Sequence, residues 1–213
     1  MHKVYLFDFD GTLVDSMPSW GEKMLNILRS EGIAPPPGLI SHIATLGDKG
    51  TAKYFREALG VTLSEAEMFS MMDAYALPRY RDEIPLKAGV EDYLRSMKAQ
   101  GIRLNILTAS PHKMLDPCLK RLGIWALFDH VWSCDDLGTV KSDPEIYRIA
   151  AGKLSAKVED VAFFDDNLNA ISTAKEAGMF TVGIYDASGE PLLPALRDTA
   201  DVFFPTFAGM NAV

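Results

Sequence analysis

Short apolar runs recur along the chain with helical patterns between them. The clearest runs are Val4-Tyr5-Leu6-Phe7, Leu104-Asn105-Ile106-Leu107, Val161-Ala162-Phe163-Phe164 and Thr181-Val182-Gly183-Ile184. Val131-Trp132 and Val202-Phe203-Phe204 are weaker runs of the same kind. Runs that do not alternate with polar residues suit strands buried on both faces, as in a parallel sheet. Between them, Val90, Tyr93, Leu94 and Met97 fall at helical spacing, and Gly101 follows. Ser110-Pro111 reads as an N-cap and first helical residue, with Gly123 closing that helix, and Asp143-Pro144 repeats the signal. Asn167 to Ala177 reads as a helix ended by Gly178. This alternation predicts an α/β fold, a Rossmann-like parallel sheet with right-handed crossovers.

Residues 16–81 break the alternation. Trp20, Met24, Ile27 and Leu28 form a helical stripe, Pro35-Pro36-Pro37 a rigid turn, and Ser64-Glu65-Ala66-Glu67 a capping box, with no convincing strand. The pattern predicts a small all-helical cap inserted after the first strand, over residues 16–81. Residues 1–15 and 82–213 then form the α/β core.

Composition narrows the class. At 213 residues, 48% hydrophobic and 23% charged, the chain suits an ordinary globule of one or two small domains. Twenty-one basic residues against 29 acidic ones give a net charge of −8, which disfavours nucleic acid and anionic membranes as partners. Any phosphate group needs a local cation. The two cysteines, Cys118 and Cys134, suit free thiols in a reducing setting. No window suits a signal peptide or membrane span, so a cytoplasmic location is expected. His2, His42, His112 and His130 show no metal-ligand spacing.

The chemistry lies where polar residues end the apolar runs. Asp8 ends the first, Thr108 the second and Asp165 the Val161 run, while Lys141 follows the Val131 run. In an open α/β sheet ligands bind beyond the carboxyl ends of the strands, so four separate segments deliver two acids, a hydroxyl and an ammonium to one rim. Asp8 and Asp10, two residues apart and followed by Gly11, suit a hard cation such as Mg²⁺ and a division between nucleophile and proton carrier. Each piece also has a plain structural reading. Asp10-Gly11 can be a turn, Ser110 and Asp166 can be helix caps, and Lys141 can be a solvated charge.

The string Asp8-Phe9-Asp10-Gly11-Thr12-Leu13-Val14-Asp15-Ser16 resembles the first motif of the haloacid dehalogenase-like hydrolase superfamily, in its phosphatase branch. Three further segments resemble the remaining motifs, in order: Thr108-Ala109-Ser110, Lys141, and Phe164-Asp165-Asp166-Asn167-Leu168-Asn169. Asn169 stands where relatives often carry Asp. The resemblance implies a Mg²⁺-dependent phosphatase that cleaves a small phosphorylated metabolite through an aspartyl-phosphate. Asp8 would be the nucleophile and Asp10 the acid and base. Thr108, Ala109 and Ser110 would hold the phosphoryl group, and Lys141 would neutralise charge. The metal would be held by Asp8, Asp10 (through its backbone carbonyl) and Asp165, with Asp166 a further candidate.

The resemblance also ranks alternatives. Asp10 disfavours dehalogenases and phosphonate hydrolases, which lack an acid there. A sugar-phosphate mutase of the β-phosphoglucomutase type remains the second reading, weakened because Trp20 stands where such mutases carry a cap His. A receiver-like signalling domain is disfavoured by the Asp8-x-Asp10 string and the helical insertion. Specificity is expected from the glycine-flanked turn Thr45-Leu46-Gly47-Asp48-Lys49-Gly50, where Lys49 is the candidate contact to the leaving group, with Lys53 and Arg56 nearby.

Overall fold

In the computed structural model, residues 2–43 and 46–213 are described. Among them, six strands form one parallel sheet: β1 (Val4–Phe7), β2 (Arg103–Thr108), β3 (His130–Ser133), β4 (Val161–Asp165), β5 (Phe180–Ile184) and β6 (Val202–Phe204). Their order across the sheet is β3-β2-β1-β4-β5-β6. All six apolar runs are strands, as their lack of polar alternation predicts. The run that opens the chain lies in the middle of the sheet, with Tyr5, Leu6 and Phe7 fully buried.

Helices cover both faces. They are α1 (Met17–Ser30), α2 (Leu39–Ile43), α3 (Gly47–Leu59), α4 (Glu65–Asp82), α5 (Val90–Ala99), α6 (His112–Arg121), α7 (Cys134–Leu137), α8 (Glu145–Lys153), α9 (Leu168–Ala177) and α10 (Leu193–Thr199). Alternate residues of β1 feed opposite cores. Tyr5 and Phe7 join Val90, Leu94, Met97 and Leu115 on one face. Val4 and Leu6 join Ile146, Tyr147, Ile171 and Ala174 on the other. Helices α1 to α4 bury a third cluster of their own, including Met24, Ile27, Phe55 and Met68. The Ser64–Glu67 capping box is present at the start of α4, in both directions.

The chain leaves the sheet for this helical segment and returns beside itself. Val14 bridges Leu86, and the Asp15 N–H donates to the Pro85 carbonyl at 3.0 Å. Helix α4 runs to Asp82, one residue beyond the expected limit, and lies against α6. Its inner residues Ala76 and Tyr80 belong to the sheet's own core.

Some local readings change. Helix α6 starts at His112, so the N-cap position falls on Pro111, and the Ser110 hydroxyl is turned to Asp10 instead. Helix α9 starts at Leu168, with Asn167 as its cap accepting from the Asn169 and Ala170 N–H groups. Asp166 is therefore not the cap. Residues 47–50 are the first turn of α3 rather than a loop, and Thr45 lies outside the described residues.

Candidate active site

The strand order reverses direction between β1 and β4, and a crevice opens at such a switch point beyond the strand ends. Phe7 pairs with Phe164, so the next residues, Asp8 and Asp165, emerge side by side. Both are buried, as is Thr108 at the end of β2. Lys141 reaches them from the segment between α7 and α8. Its ammonium donates to Asp8 Oδ1 and, at 2.9 Å, to Asp165 Oδ2. The Tyr147 hydroxyl donates to the Lys141 carbonyl at 3.0 Å and fixes that segment. Burial opposes the Lys141 charge, but the Asp165 and Asp8 carboxylates outweigh it and hold the ammonium well above its ordinary range. Lys141 is therefore charged throughout the physiological window.

Asp8, Asp165 and Asp166 present carboxylate oxygens within 4.8 Å of one another. Burial pushes the Asp8 carboxyl up to about 7, with Asp165 and Asp10 adding to the rise and Lys141 opposing it. Burial, Asp165 and Asp8 likewise drive Asp166 far above the carboxylate range. One ammonium does not balance three converging acids. An all-oxygen set with excess negative charge fits a hard divalent cation such as Mg²⁺. The Asp10 side chain stands outside this triple, and Asp166 completes it.

Asp166 is held from the opposite loop, where Thr12 Oγ1 donates to its Oδ1 at 2.9 Å. The Asp166 N–H donates back to Thr12 Oγ1 at 3.1 Å. Gly11, at φ +77°, leaves room for that carboxylate, since a Cβ there would lie 2.6 Å from Asp166 Oδ2. Beneath the turn, the Lys87 ammonium donates to the Gly11 carbonyl at 2.5 Å, the Tyr185 carbonyl at 2.6 Å and Asp186 at 3.0 Å.

Asp10 accepts from three hydroxyls. Ser16 reaches its Oδ1 at 2.7 Å, Tyr80 donates to the same oxygen, and Ser110 donates to Oδ2. Burial and the Asp10 charge push the Tyr80 phenol well above its ordinary value, so it remains a donor. Thr108 Oγ1 accepts the Ser110 N–H at 3.1 Å, which leaves its own hydrogen free to donate into the cleft.

A cleft of about 670 Å³ joins these groups to the helical segment. Asp8, Asp10, Thr108, Ala109, Ser110, Lys141, Asp165 and Asp166 line one wall, and Trp20, Lys23, Asp48 and Lys49 line the other. Every residue expected at the site thus faces one space. Lys53 and Arg56 point to solvent outside it. Tyr80, Thr12, Lys87, Tyr147 and Lys23 are additions that sequence reasoning did not supply.

The sequence model of haloacid dehalogenase-like hydrolases matches residues 2–178. The chain belongs to the haloacid dehalogenase-like hydrolase family. It is 29% identical over 213 residues to validoxylamine A 7'-phosphate phosphatase of Streptomyces hygroscopicus subsp. limoneus, covering 96% of this chain and 98% of that one. It is 28% identical to phosphoglycolate phosphatase 1 of Pseudomonas aeruginosa, covering 83% and 67%. CbbY from Rhodobacter sphaeroides, solved as a variant in complex with xylulose-(1,5)bisphosphate, superposes with a TM-score of 0.83 at 23% identity, covering 99% and 97%, and shows the same fold. As a member of this family the chain is an enzyme, a hydrolase. No helix among the described residues is long and apolar enough to cross a membrane.

Proposed function

We propose that the protein is a Mg²⁺-dependent phosphatase acting on a small phosphorylated metabolite through an aspartyl-phosphate. The observation that carries this reading is the pairing at the strand switch point. One carboxylate, Asp8, is tied to Lys141 inside an acidic triple, while a second, Asp10, sits two residues on in a cradle of hydroxyls.

Asp8, Asp165 and Asp166 would hold the Mg²⁺ with the Asp10 backbone carbonyl, and the bound ion would supply neutralisation of the phosphoryl and carboxylate charges. The Asp8 carboxylate attacks phosphorus, and the bond to the ester oxygen breaks. Protonated Asp10 gives its proton to the departing alkoxide. It then takes a proton from water, which attacks the aspartyl-phosphate and releases inorganic phosphate and the Asp8 carboxylate. Serine hydroxyls both donate and accept, so Ser16 and Ser110 can serve either protonation state of Asp10. Thr108 donates to a phosphoryl oxygen, together with the Ala109 N–H. Lys141 balances charge on the nucleophile and the transferring group.

Helices α1 to α4, residues 16–81, act in this reading as a cap whose movement over the strand ends excludes water. The paired connections at 14–16 and 82–86 are suited to act as its hinges. Trp20 offers no titratable group at the place where a mutase would need one, which favours hydrolysis over phosphoryl transfer between sugars.

The test is release of inorganic phosphate from a panel of phosphorylated metabolites, with Mg²⁺ and with EDTA. Phosphate release that is insensitive to EDTA, or that survives Asp8→Asn, would refute the mechanism.

A further inference from the structure

The wall of the cleft facing the catalytic residues carries a lysine that the mechanism does not use. Lys23, on α1, has only 8% of its side chain exposed. Burying an ammonium is costly unless it is paired and hydrogen-bonded. Its partner is Asp48, in the first turn of α3, which it meets at 3.1 and 2.9 Å through both carboxylate oxygens. Asp48 is 43% exposed and lines the same cleft, and the half-buried Trp20 ring lies 6.0 Å from the Lys23 ammonium. Two of the three Lys23 N–H groups go to Asp48, and the third has no partner among the described residues. A carboxylate offers about four lone-pair sites, so Asp48 can accept further bonds.

The charge state of this wall decides what it can hold. Lys23 is neutralised by Asp48, and Lys113 by Asp73 at 2.5 Å. Lys49 forms no ion pair among the described residues, but it is exposed. A second anionic group on the substrate would have to break an existing pair or rely on one solvated lysine. A row of hydroxyls would not. Asp48 has the lone pairs to accept from two of them, Lys23 can donate to a third oxygen, and the Trp20 ring can offer an apolar surface to the C–H groups between.

Resting on the phosphatase reading above, we infer that Lys23, Asp48 and Trp20 form the leaving-group subsite, and that the leaving group is an uncharged polyol or sugar. The specificity-determining element is thus the Lys23–Asp48 pair rather than Lys49.

The test is kcat/KM with Mg²⁺ for sorbitol 6-phosphate, glucose 6-phosphate, phosphoglycolate and p-nitrophenyl phosphate. The proteins compared are the parent, Lys23→Met and Asp48→Asn, with the Tm of each. The parent should favour the polyol and sugar phosphates over phosphoglycolate by at least ~10-fold. Each variant should lose ~10–100-fold on those substrates, mostly in KM, because a polar group is left unmatched. The loss on p-nitrophenyl phosphate, which brings no hydroxyls, should be several-fold smaller. A parent that prefers phosphoglycolate, or equal losses on every substrate with a lowered Tm, would overturn the assignment and make the pair a brace between α1 and α3. Turnover of p-nitrophenyl phosphate without any polyol preference overturns this inference and leaves the phosphatase reading standing. Absence of phosphate release from all four refutes both.

Discussion

Gly11 offers a clean measure of how the acidic triple is held. Gly11 and Gly101 share φ +77°, but a Cβ at Gly101 meets nothing within 4 Å, whereas one at Gly11 meets Asp166 Oδ2 at 2.6 Å and Oδ1 at 2.8 Å. Placing alanine in the left-handed region costs about 1–2 kcal/mol at either site. At Gly11 the carboxylate must also retreat from 2.6 Å towards the 3.4 Å of ordinary contact. It cannot do so freely, because Thr12 holds it from the same loop. Overpacking of this kind adds about 1–3 kcal/mol. For a chain of this size 1 kcal/mol moves Tm by roughly 2–4 °C. Gly101→Ala should therefore lower Tm by roughly 2–8 °C and Gly11→Ala by roughly 4–20 °C, the difference being the Asp166 contact alone. If Asp166 helps to hold Mg²⁺ as proposed, displacing it should also raise the Mg²⁺ concentration for half-maximal activity by ~10–100-fold, as for other disturbances around metal ligands. Gly101→Ala should leave that concentration where it was. Differential scanning fluorimetry and a Mg²⁺ titration of phosphate release read the two effects. Equal Tm losses and an unchanged Mg²⁺ requirement in Gly11→Ala would remove Asp166 from the metal site.

Three further outcomes follow from the same geometry. On the proposed mechanism Asp8→Asn removes the nucleophile and a metal contact together, so turnover should fall by at least ~10³-fold and single-turnover assays with labelled substrate should trap no phosphoprotein. Asp10→Asn should slow phosphoenzyme formation by ~10²–10⁴-fold from alkyl phosphates and much less from p-nitrophenyl phosphate, whose leaving group needs no proton. Equal losses on the two would end the acid role of Asp10. In the metal-free protein, Asp8, raised to about 7, and Asp166, raised well above the ordinary carboxylate range, retain protons that the unfolded chain has released. The unfolded state then binds fewer protons, so stability falls as pH rises from about 5 to 8, by up to ~1.4 kcal/mol per unit for each such proton. His112, raised by Asp116 and Asp136, acts with the same sign, so the measurement is best made in a His112→Asn background. The lowered carboxyls of Asp143 and Asp201 act with the opposite sign only below this window. Mg²⁺ should flatten the slope, and a metal-free Tm that rises over this range would contradict the crowding of the three acids.

Much of this was legible in residue order because the sheet is parallel and doubly covered. Its strands read as unbroken apolar runs, and the polar residue that ends each run is the one delivered to the crevice. Asp8, Thr108 and Asp165 are found that way. Tyr80 was hidden by its neighbours, since it lies on α4 among residues that pack on the core, and only the approach of α4 to α6 brings its hydroxyl to Asp10. Ser110 followed by Pro111 has every local mark of a cap, yet a carboxylate a hundred residues away takes its hydroxyl. At α9 the cap is Asn167, and Asp166 faces Thr12 across the site. Lys23 sits in an apolar stripe beside Met24, where only the position of Asp48 distinguishes a buried ion pair from a solvated lysine. Periodicity reports which face a residue occupies. It does not report which distant partner wins its hydrogen bonds.

The central position of β1 sets a timetable for biosynthesis. The strand leaves the ribosome before either partner, since Val4 pairs with Arg103 on one side and Val161 on the other. At about 5–20 residues per second the second partner follows roughly 10–30 s later. Meanwhile the cluster of Met24, Ile27, Phe55 and Met68 is complete within the first third of the chain and can condense through short-range contacts. A nascent chain at that stage carries a collapsed helical unit tethered to a bare Val4-Tyr5-Leu6-Phe7 segment, with both hydrogen-bonding edges open and Asp8 still without Lys141. Such an open segment is prone to pair with other chains, and yields on overexpression should respond more to slower translation or extra chaperone than to any substitution in the finished sheet.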